Sequence, residues 1–589
     1  MKKALFFSPY QFFSVHAEPE VLIAESLQLE GYETVFVTCK GILAKNCLCM
    51  SVVPFEDTTH RERICRECRE NRNFLMKRFK RKQIFLDNLV NCDEKKNIED
   101  NIGKWENDDL ANYTFQGIQI GKKTLYEFIL KYKLLSDAIP NERLQEFRFN
   151  LYNTTVVATA MERVLGELRP DIVVFYNFFY STNQVVAEIA HKSKTSVFSL
   201  HAGTHHQNRD RIVALSKVQK TGTLQEALAG KPTENSPLNP ASMPLIEDHI
   251  QGIFEARTVW VYSPKTTRVS SWLIRKKISL PPRSKVVLAA LRSDDERSAA
   301  DLSLGPVSAR NPLFQDQFSW LDWLAEFSET HPEITVVVRQ HPREAPNRRE
   351  QVISANHHRL NQWLSRRKVP KNMIFNRPDQ KISLYDLFKI TDLVLRNSSS
   401  VGVEAALYGI PVVGMGDDTA FDPLLQKESR TLAEYEKNIL QALQLGWNLN
   451  QVYLAYRWYS YLFGRKEIDL RDGWRSSQNF FFRLQKKLAK GWARVQGLPF
   501  VDSSYCLKVL RKPLVNHYRL MKILLEQTPH GSKATEPHPK HCPQLLLKAV
   551  RESYQKTMGW LSENNDPEFQ ERIKKVLSQE LSLEDSLNL

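Results

Sequence analysis

The chain has 589 residues, too many for one hydrophobic core, so two or three domains are expected. At 42% hydrophobic and 25% charged residues, with a mean hydropathy of −0.41, it reads as a globular protein, and no apolar run approaches the ~18–20 residues that cross a bilayer. A balance of 82 basic against 67 acidic residues gives +15, which suits anionic partners such as nucleotides or phospholipid headgroups; with no zinc-finger, helix-turn-helix or RNA-binding signature, nucleic acid is not among the expected partners.

The N-terminus, MKKALFF, begins like a leader, but Ser8-Pro9-Tyr10-Gln11 interrupts its apolar run and no small-residue cleavage site follows, so residues 4–8 are read as a first strand. A helix over 18–30, stopped by Gly31, and a strand over 33–38 complete a β-α-β opening. His16 falls in the first strand-to-helix loop. Six of the eight cysteines lie in the first hundred residues. Cys65-Arg66-Glu67-Cys68 can grip a metal from one turn, and Cys39 with Cys47 or Cys49 would complete four thiolates around a structural zinc. With no leader, a reducing compartment is expected, which argues against disulfides.

Residues 69–150 are charged, aromatic and helical in period, with Phe74, Phe79, Phe85, Leu86 and Leu89 as anchors, and read as a helical insertion. Helix and strand resume over 151–168 and 171–175, then over 183–190 and 195–200. The last strand runs into His201-Ala202-Gly203-Thr204-His205-His206-Gln207-Asn208-Arg209-Asp210, a polar loop on the ligand side of a parallel sheet. Adjacent histidines point apart in most backbones, so this loop is read as a substrate contact rather than a metal site, with His205, His206 and Asp210 as reserve catalytic groups. Residues 219–244 form a Gly/Pro/Ser/Thr-rich loop, and residues 259–284 link to a second domain opening with a strand at 285–291.

Two stretches of that domain carry the chemistry. ITVVVRQHP, residues 334–342, is a buried strand ending in His341-Pro342 with Arg339 two residues earlier; Pro342 holds His341 extended and aims its imidazole out of the sheet edge. DLVLRNSSSVGVEAALYGIPVVGMG, residues 392–416, is strand, polar turn, helix and strand, with Ser398, Ser399 and Ser400 at the turn and Glu404 one helical turn on. Asp417 and Asp418 close the last clear strand.

Together, R-x-H-P and S-S-S-V-G-x-E-A resemble the nucleotide-sugar-binding domain of GT-B glycosyltransferases, above all those of bacterial capsule and lipopolysaccharide synthesis. A His-Pro pair with a serine pair also recurs in CMP-sugar-dependent sialyl- and Kdo transferases and in CDP-glycerol polymerases, and more loosely in UDP-GlcNAc 2-epimerases. The resemblance covers residues 285–418. It implies an α/β, GT-B-like fold of two facing Rossmann-type domains: 1–258 for the acceptor, with the helical insertion, and 285–446 for the nucleotide sugar. It implies a donor site of Arg339, His341, Pro342, Ser398, Ser399, Ser400 and Glu404, and a catalytic base in the first strand-to-helix loop, His16. No cofactor is required for the transfer. A CMP-sugar is the favoured donor, with UDP- or GDP-sugars as alternatives, and a glycan or lipid-linked glycan is the acceptor. Rival readings are a CDP-glycerol- or ribitol-type phosphate transferase, or a non-catalytic zinc-containing assembly protein on the same fold.

A helix over 432–463, rich in tyrosine, is placed to cross back onto the first domain. Residues 447–525 continue as a helical return whose Phe480, Phe481, Phe482, Lys486, Lys487, Lys490, Trp492 and Arg494 suit a membrane surface. The expected location is therefore cytoplasmic, peripheral on the inner face of the membrane. Residues 526–589 are a linker and terminal helix.

Overall fold

The computed structural model describes residues 1–218, 238–258, 261–281, 284–305, 313–346, 351–397, 399–415, 429–476, 505–525, 543–562 and 566–580, with a few single positions between them. The basic aromatic segment expected to meet a membrane lies outside the described residues. Among those described, no helix is long and apolar enough to cross a membrane.

Two sheets organise the chain. In the first, β1 (Lys3–Phe7), β2 (Glu33–Thr38), β3 (Lys82–Phe85), β4 (Ile172–Tyr176) and β5 (Ser196–Ala202) are parallel in the order β3-β2-β1-β4-β5. Antiparallel β6 (Ile212–Lys217) extends it. In the second, β7 (Lys285–Ala290), β8 (Ile334–Arg339), β9 (Met373–Asn376), β10 (Leu393–Arg396) and β11 (Val412–Gly414) are parallel in the order β9-β8-β7-β10-β11. Both are the 3-2-1-4-5 order of a mononucleotide-binding half, whose crevice lies where the winding reverses: between β1 and β4, and between β7 and β10.

The strands are apolar on both faces because helices cover both. Leu5 and Phe7 enter one core and Ala4 and Phe6 another; Val287 and Ala289 are likewise split from Val286 and Leu288. Each domain is thus helix, sheet, helix, and the layout is the GT-B-like one expected.

Several boundaries differ. The first helix starts at Ser14, so His16 lies in its first turn rather than in the loop before it. The insertion is not purely helical: β3 adds an edge strand after the helix Thr58–Arg78, its alternation masked by the flanking lysines and arginines. The helix Met243–Phe254, placed by sequence in the first domain, packs in the core of the second, as does Ser271–Lys277 from the expected linker.

The C-terminal part crosses back and forth. After the helix Leu449–Tyr461, β12 (Glu467–Asp469) pairs antiparallel with β6 and covers the first sheet's edge. The helix His517–Leu525 packs on the first domain. The expected terminal helix is two helices, Pro543–Leu561 and Pro567–Leu577, seated on the second.

Asp566 fixes this last attachment. Buried, it accepts from Ser271 N (2.8 Å) and Oγ (2.9 Å) while capping its own helix at Phe569 N (3.2 Å). Asp566→Ala should destabilise the second domain by about 2–4 kcal/mol, the sum of a lost cap and a buried amide left without a partner. Urea unfolding checks it; an unchanged midpoint would mean that the terminal helices are not held here.

Candidate functional site

The first crevice is enclosed and aromatic. His16 stacks on Tyr176 at the end of β4 (ring centroids 4.0 Å, interplanar 21°), and Tyr176 stacks in turn toward His201 at 6.4 Å. Burial, followed by the nearby His201, pushes the His16 pKa down to about 3. A base titrating near the ordinary histidine value was expected; the enclosure makes His16 a neutral imidazole across the physiological range. Its Nδ1 is buried with no hydrogen-bond partner, a group that an incoming hydroxyl would satisfy.

The histidine loop is the turn of the β5–β6 hairpin, held from two sides. Glu467 of β12 accepts from Thr204 N and Oγ1, both at 2.6 Å, and Gly203 is obligatory, since a Cβ there would lie 1.8 Å from Ile212 O. His205 and His206 do not point apart as expected. Both face His249 on helix 243–254, with ring centroids 5.7 and 5.2 Å away, because the tight hairpin turns the two residues toward that helix. His205 is buried, its Nε2 meeting Leu245 O (3.1 Å) and lying 3.5 Å from Asp248, so it is engaged in structure. Asp210 lies 3.8 Å from Arg211 Nε and within electrostatic reach of Glu18 and Tyr176.

In the second domain the R-x-H-P segment ends β8 and the serine segment follows β10, with Arg339 and Glu404 within electrostatic reach of each other. Arg339 is buried at the end of β8, donating to Asn376 Oδ1 and Ile382 O, within electrostatic reach of Tyr385 and Glu404. Burial lowers its pKa to about 10, so it keeps its charge. His341 accepts Arg343 N–H at Nδ1 (3.2 Å), which leaves the proton on Nε2. Burial, then Arg343, Arg339 and Lys133, push its pKa down to about 3: it is a neutral N–H donor. Pro342 opens the short 3-10 turn that presents it.

Glu404 is buried and accepts from Ser400 Oγ (2.9 Å) and Tyr385 OH (3.0 Å). Burial raises its pKa, opposed by those two bonds and by Arg339. Counted by resemblance in the donor site, it serves first as the internal anchor of the serine turn. Ser400 is exposed and makes no side-chain cap, whereas Ser399 Oγ receives Val401 N only at 3.4 Å, so neither of these two is a close helix cap. Ser398 lies outside the described residues, as do Asp417 and Asp418. Gly402 leaves room for Arg396, whose Cδ would lie 2.5 Å from a Cβ.

The acidic residues after β7 open the helix Asp294–Leu304, and two of them are engaged in structure. Asp295 forms a buried ion pair with Arg343, and Asp294 pairs with Arg292 (2.6 Å), which also donates to Asn397 Oδ1 (2.9 Å) across the β7/β10 reversal.

Sequence reasoning missed Lys133 and Arg343. Lys133 ends the helix Ile120–Tyr132 in the left-handed region (φ 50°), fully buried, and its Nζ donates to the carbonyls of Arg343 (2.5 Å), Val352 (2.7 Å) and Ala345 (3.3 Å). Ala355 N bonds back to Lys133 O, and Arg343 Nη2 to Leu130 O, both at 3.1 Å. The insertion thus grips the loop that follows His341-Pro342. The arginine directly after the motif was the available signal for Arg343; nothing in the sequence singles out Lys133.

The four cysteines expected to hold zinc, Cys39, Cys47, Cys65 and Cys68, do converge with Cys49 on one cavity of about 20 Å³. All five are free thiols, and among the described residues no three His, Cys, Asp or Glu side chains are arranged to hold a metal ion.

No family model matches the chain, and no curated protein does. Solved structures with partial similarity include UDP-GlcNAc 2-epimerase from Neisseria meningitidis bound to UDP-GlcNAc (12% identity, 79% of this chain and 97% of that one, TM-score 0.26). Another is the beta Kdo 2,4 transferase KpsC from Thermosulfurimonas dismutans (13% identity, 50% and 88%, TM-score 0.28). A third is the Streptomyces glycosyltransferase SsfS6 complexed with thymidine diphosphate (8% identity, 78% and 96%, TM-score 0.21). At such scores they add nothing to what the strand order says of the fold.

A histidine whose folded pKa is depressed stabilises above its unfolded value, near 6.5, and loses that contribution as pH falls toward 3. Measured against His16→Phe, the wild type should therefore lose about 1–2 kcal/mol of relative stability between pH 7 and pH 5. Parallel stability curves for the two proteins would show that the ring is not enclosed.

Proposed function

We propose that the chain is a glycosyltransferase that moves a sugar from a nucleotide-sugar donor to a glycan acceptor in bacterial surface polysaccharide synthesis. The supporting observation is the placement, at the ends of β8 and β10 in the second domain, of the Arg339 charge, the His341 Nε2–H donor and the serine turn anchored by Glu404 and Tyr385. A leaving nucleotide phosphate gathers negative charge as its bond to the anomeric carbon breaks. Fixed donors that need no rearrangement stabilise that charge best. In this reading the Arg339 charge, His341 and Ser399 act on the phosphate, and Pro342 sets the turn that presents His341; Ser398, outside the described residues, is assigned to the same phosphate.

The acceptor oxygen forms the new bond to the anomeric carbon and its proton passes to a base. His16 is assigned that role because its Nδ1 has no partner and it lies at the matching reversal of the first sheet. A CMP-sugar is the favoured donor on the strength of the His-Pro and serine motifs.

A thermal-shift panel of CMP, CDP, UDP and GDP and their sugar or glycerol derivatives tests the reading. One nucleotide series should stabilise the chain, and His341→Ala and Ser399→Ala should each weaken that series about ten- to a hundredfold, the worth of a hydrogen bond to a charged group. Stabilisation by CDP-glycerol alone would favour the phosphate-transferase alternative, and no stabilisation by any nucleotide would end the proposal. Because His341 binds as a neutral donor, affinity for the nucleotide sugars, whose esterified phosphates do not titrate near neutrality, should carry no titration near pH 6.5. An affinity that rises through that pH as the solution is acidified would mean that the charged form binds instead.

His16→Ala should leave nucleotide affinity almost intact and lower turnover by roughly 10²–10⁴-fold. Initial rates and affinity measured side by side check this; full turnover would move the base elsewhere in the cleft.

A further inference from the structure

Beside the histidine hairpin the first sheet's edge opens into a recess of about 440 Å³, within the range of small-molecule sites. One wall is the hairpin, with Asn208 and Arg211. The other is the segment returning from the second domain, with Asp469, Arg471, Asp472 and Trp474. Val515 and Asn516 complete the lining, Val515 N donating to Asp472 (2.8 Å) and Asn516 Nδ2 to Asp469 O (3.1 Å).

Its chemistry differs from that of the other crevice. Two arginines and two aspartates cancel in charge, and Arg471 is clasped by Asp469 at 2.7 and 3.0 Å. A phosphate would meet Asp469 and Asp472 without a net positive field to offset them. What such a wall matches is an uncharged polyhydroxyl compound. Amide, carboxylate and guanidinium groups present donors and acceptors in pairs, and exposed Val515, with the edge of the largely buried Trp474, offers apolar surface to the C–H groups of a sugar ring.

The indole is held in place. Trp474 Nε1–H donates to Glu18 Oε2 (2.9 Å), and the Arg211 guanidinium lies 5.6 Å from the Trp474 ring. Glu18 is two residues from His16 on the same helix, and Asp210 acts electrostatically on both Glu18 and Tyr176, so the recess adjoins the His16–Tyr176 pair. Burial pushes the Glu18 pKa up to about 7, so the carboxyl that holds Trp474 from behind carries less than a full negative charge below that pH.

We infer that this recess binds an uncharged stretch of the acceptor glycan and leads its end toward His16. The inference rests on the glycosyltransferase reading for the role of the glycan, but the binding itself is tested apart from it.

The full chain is applied to an array of immobilised glycans that includes uncharged and acidic oligosaccharides. Retention of uncharged members, weakened at least tenfold by Arg471→Gln and by Asp472→Asn, is the expected result. In protein carrying 5-fluorotryptophan, the fluorine resonance that disappears in Trp474→Phe should shift when a retained glycan is added and stay unmoved by CMP or UMP. Retention of no glycan, retention of acidic ones alone, or retention indifferent to both rim variants with a motionless Trp474 resonance overturns the inference. Nucleotide stabilisation in the thermal-shift panel is the separate arm. If it persists while glycan binding fails, only the recess falls; if it fails while glycan binding persists, the recess stands and the donor reading falls.

Discussion

One buried ammonium ties the two halves of the molecule together. Lys133 projects from the first domain's insertion into the second domain and satisfies three of its backbone carbonyls at once. A charge so enclosed is tolerable only with its donors engaged, so the loop after the His-Pro motif must adopt the shape that offers those carbonyls. Arg343 works in reverse, reaching from that loop to Leu130 O while pairing with Asp295. The shape of the proposed phosphate site is thereby set by a helix outside its own domain. The helix Ile120–Tyr132 packs along the helix Asp294–Leu304, which extends the same contact.

A second theme is the neutrality of the enclosed histidines. His16, His206 and His341 are all driven to about 3, first by burial and then by neighbouring positive or imidazole groups. In such surroundings an imidazole is a directional hydrogen-bonding group with a fixed tautomer rather than a pH switch. His249 extends the pattern: it sits between the hairpin histidines and Tyr459 (4.6 Å), whose hydroxyl acts electrostatically on Glu404.

The parallel strands were legible because helix-covered strands read as continuous apolar runs, such as the IVVF and VVLAA segments within β4 and β7. The opening β-α-β unit and the two motif-bearing strand ends followed from the same pattern with proline and glycine punctuation. Strand β3, KQIF, was hidden by its basic flank, and β12, EID, is too short for any periodicity to register. Their pairing is decided by tertiary contact, and so is the allegiance of helix 243–254. The site was legible as residues but not as partnerships. Nothing local says that Glu404 would be engaged by Tyr385, that His205 and His206 would share His249, or that the insertion would reach across with Lys133.

The order of the chain bears on how it is made. The first sheet is not closed until β12 and the helix His517–Leu525 have been laid against it, and both are translated after every strand of the second sheet. On the ribosome the edge of β6 therefore stays uncovered while more than two hundred further residues emerge. An unpaired strand edge is a template for pairing with another chain. At some 5–20 residues per second that interval lasts on the order of ten seconds or more, a window in which a holding chaperone would have a defined target.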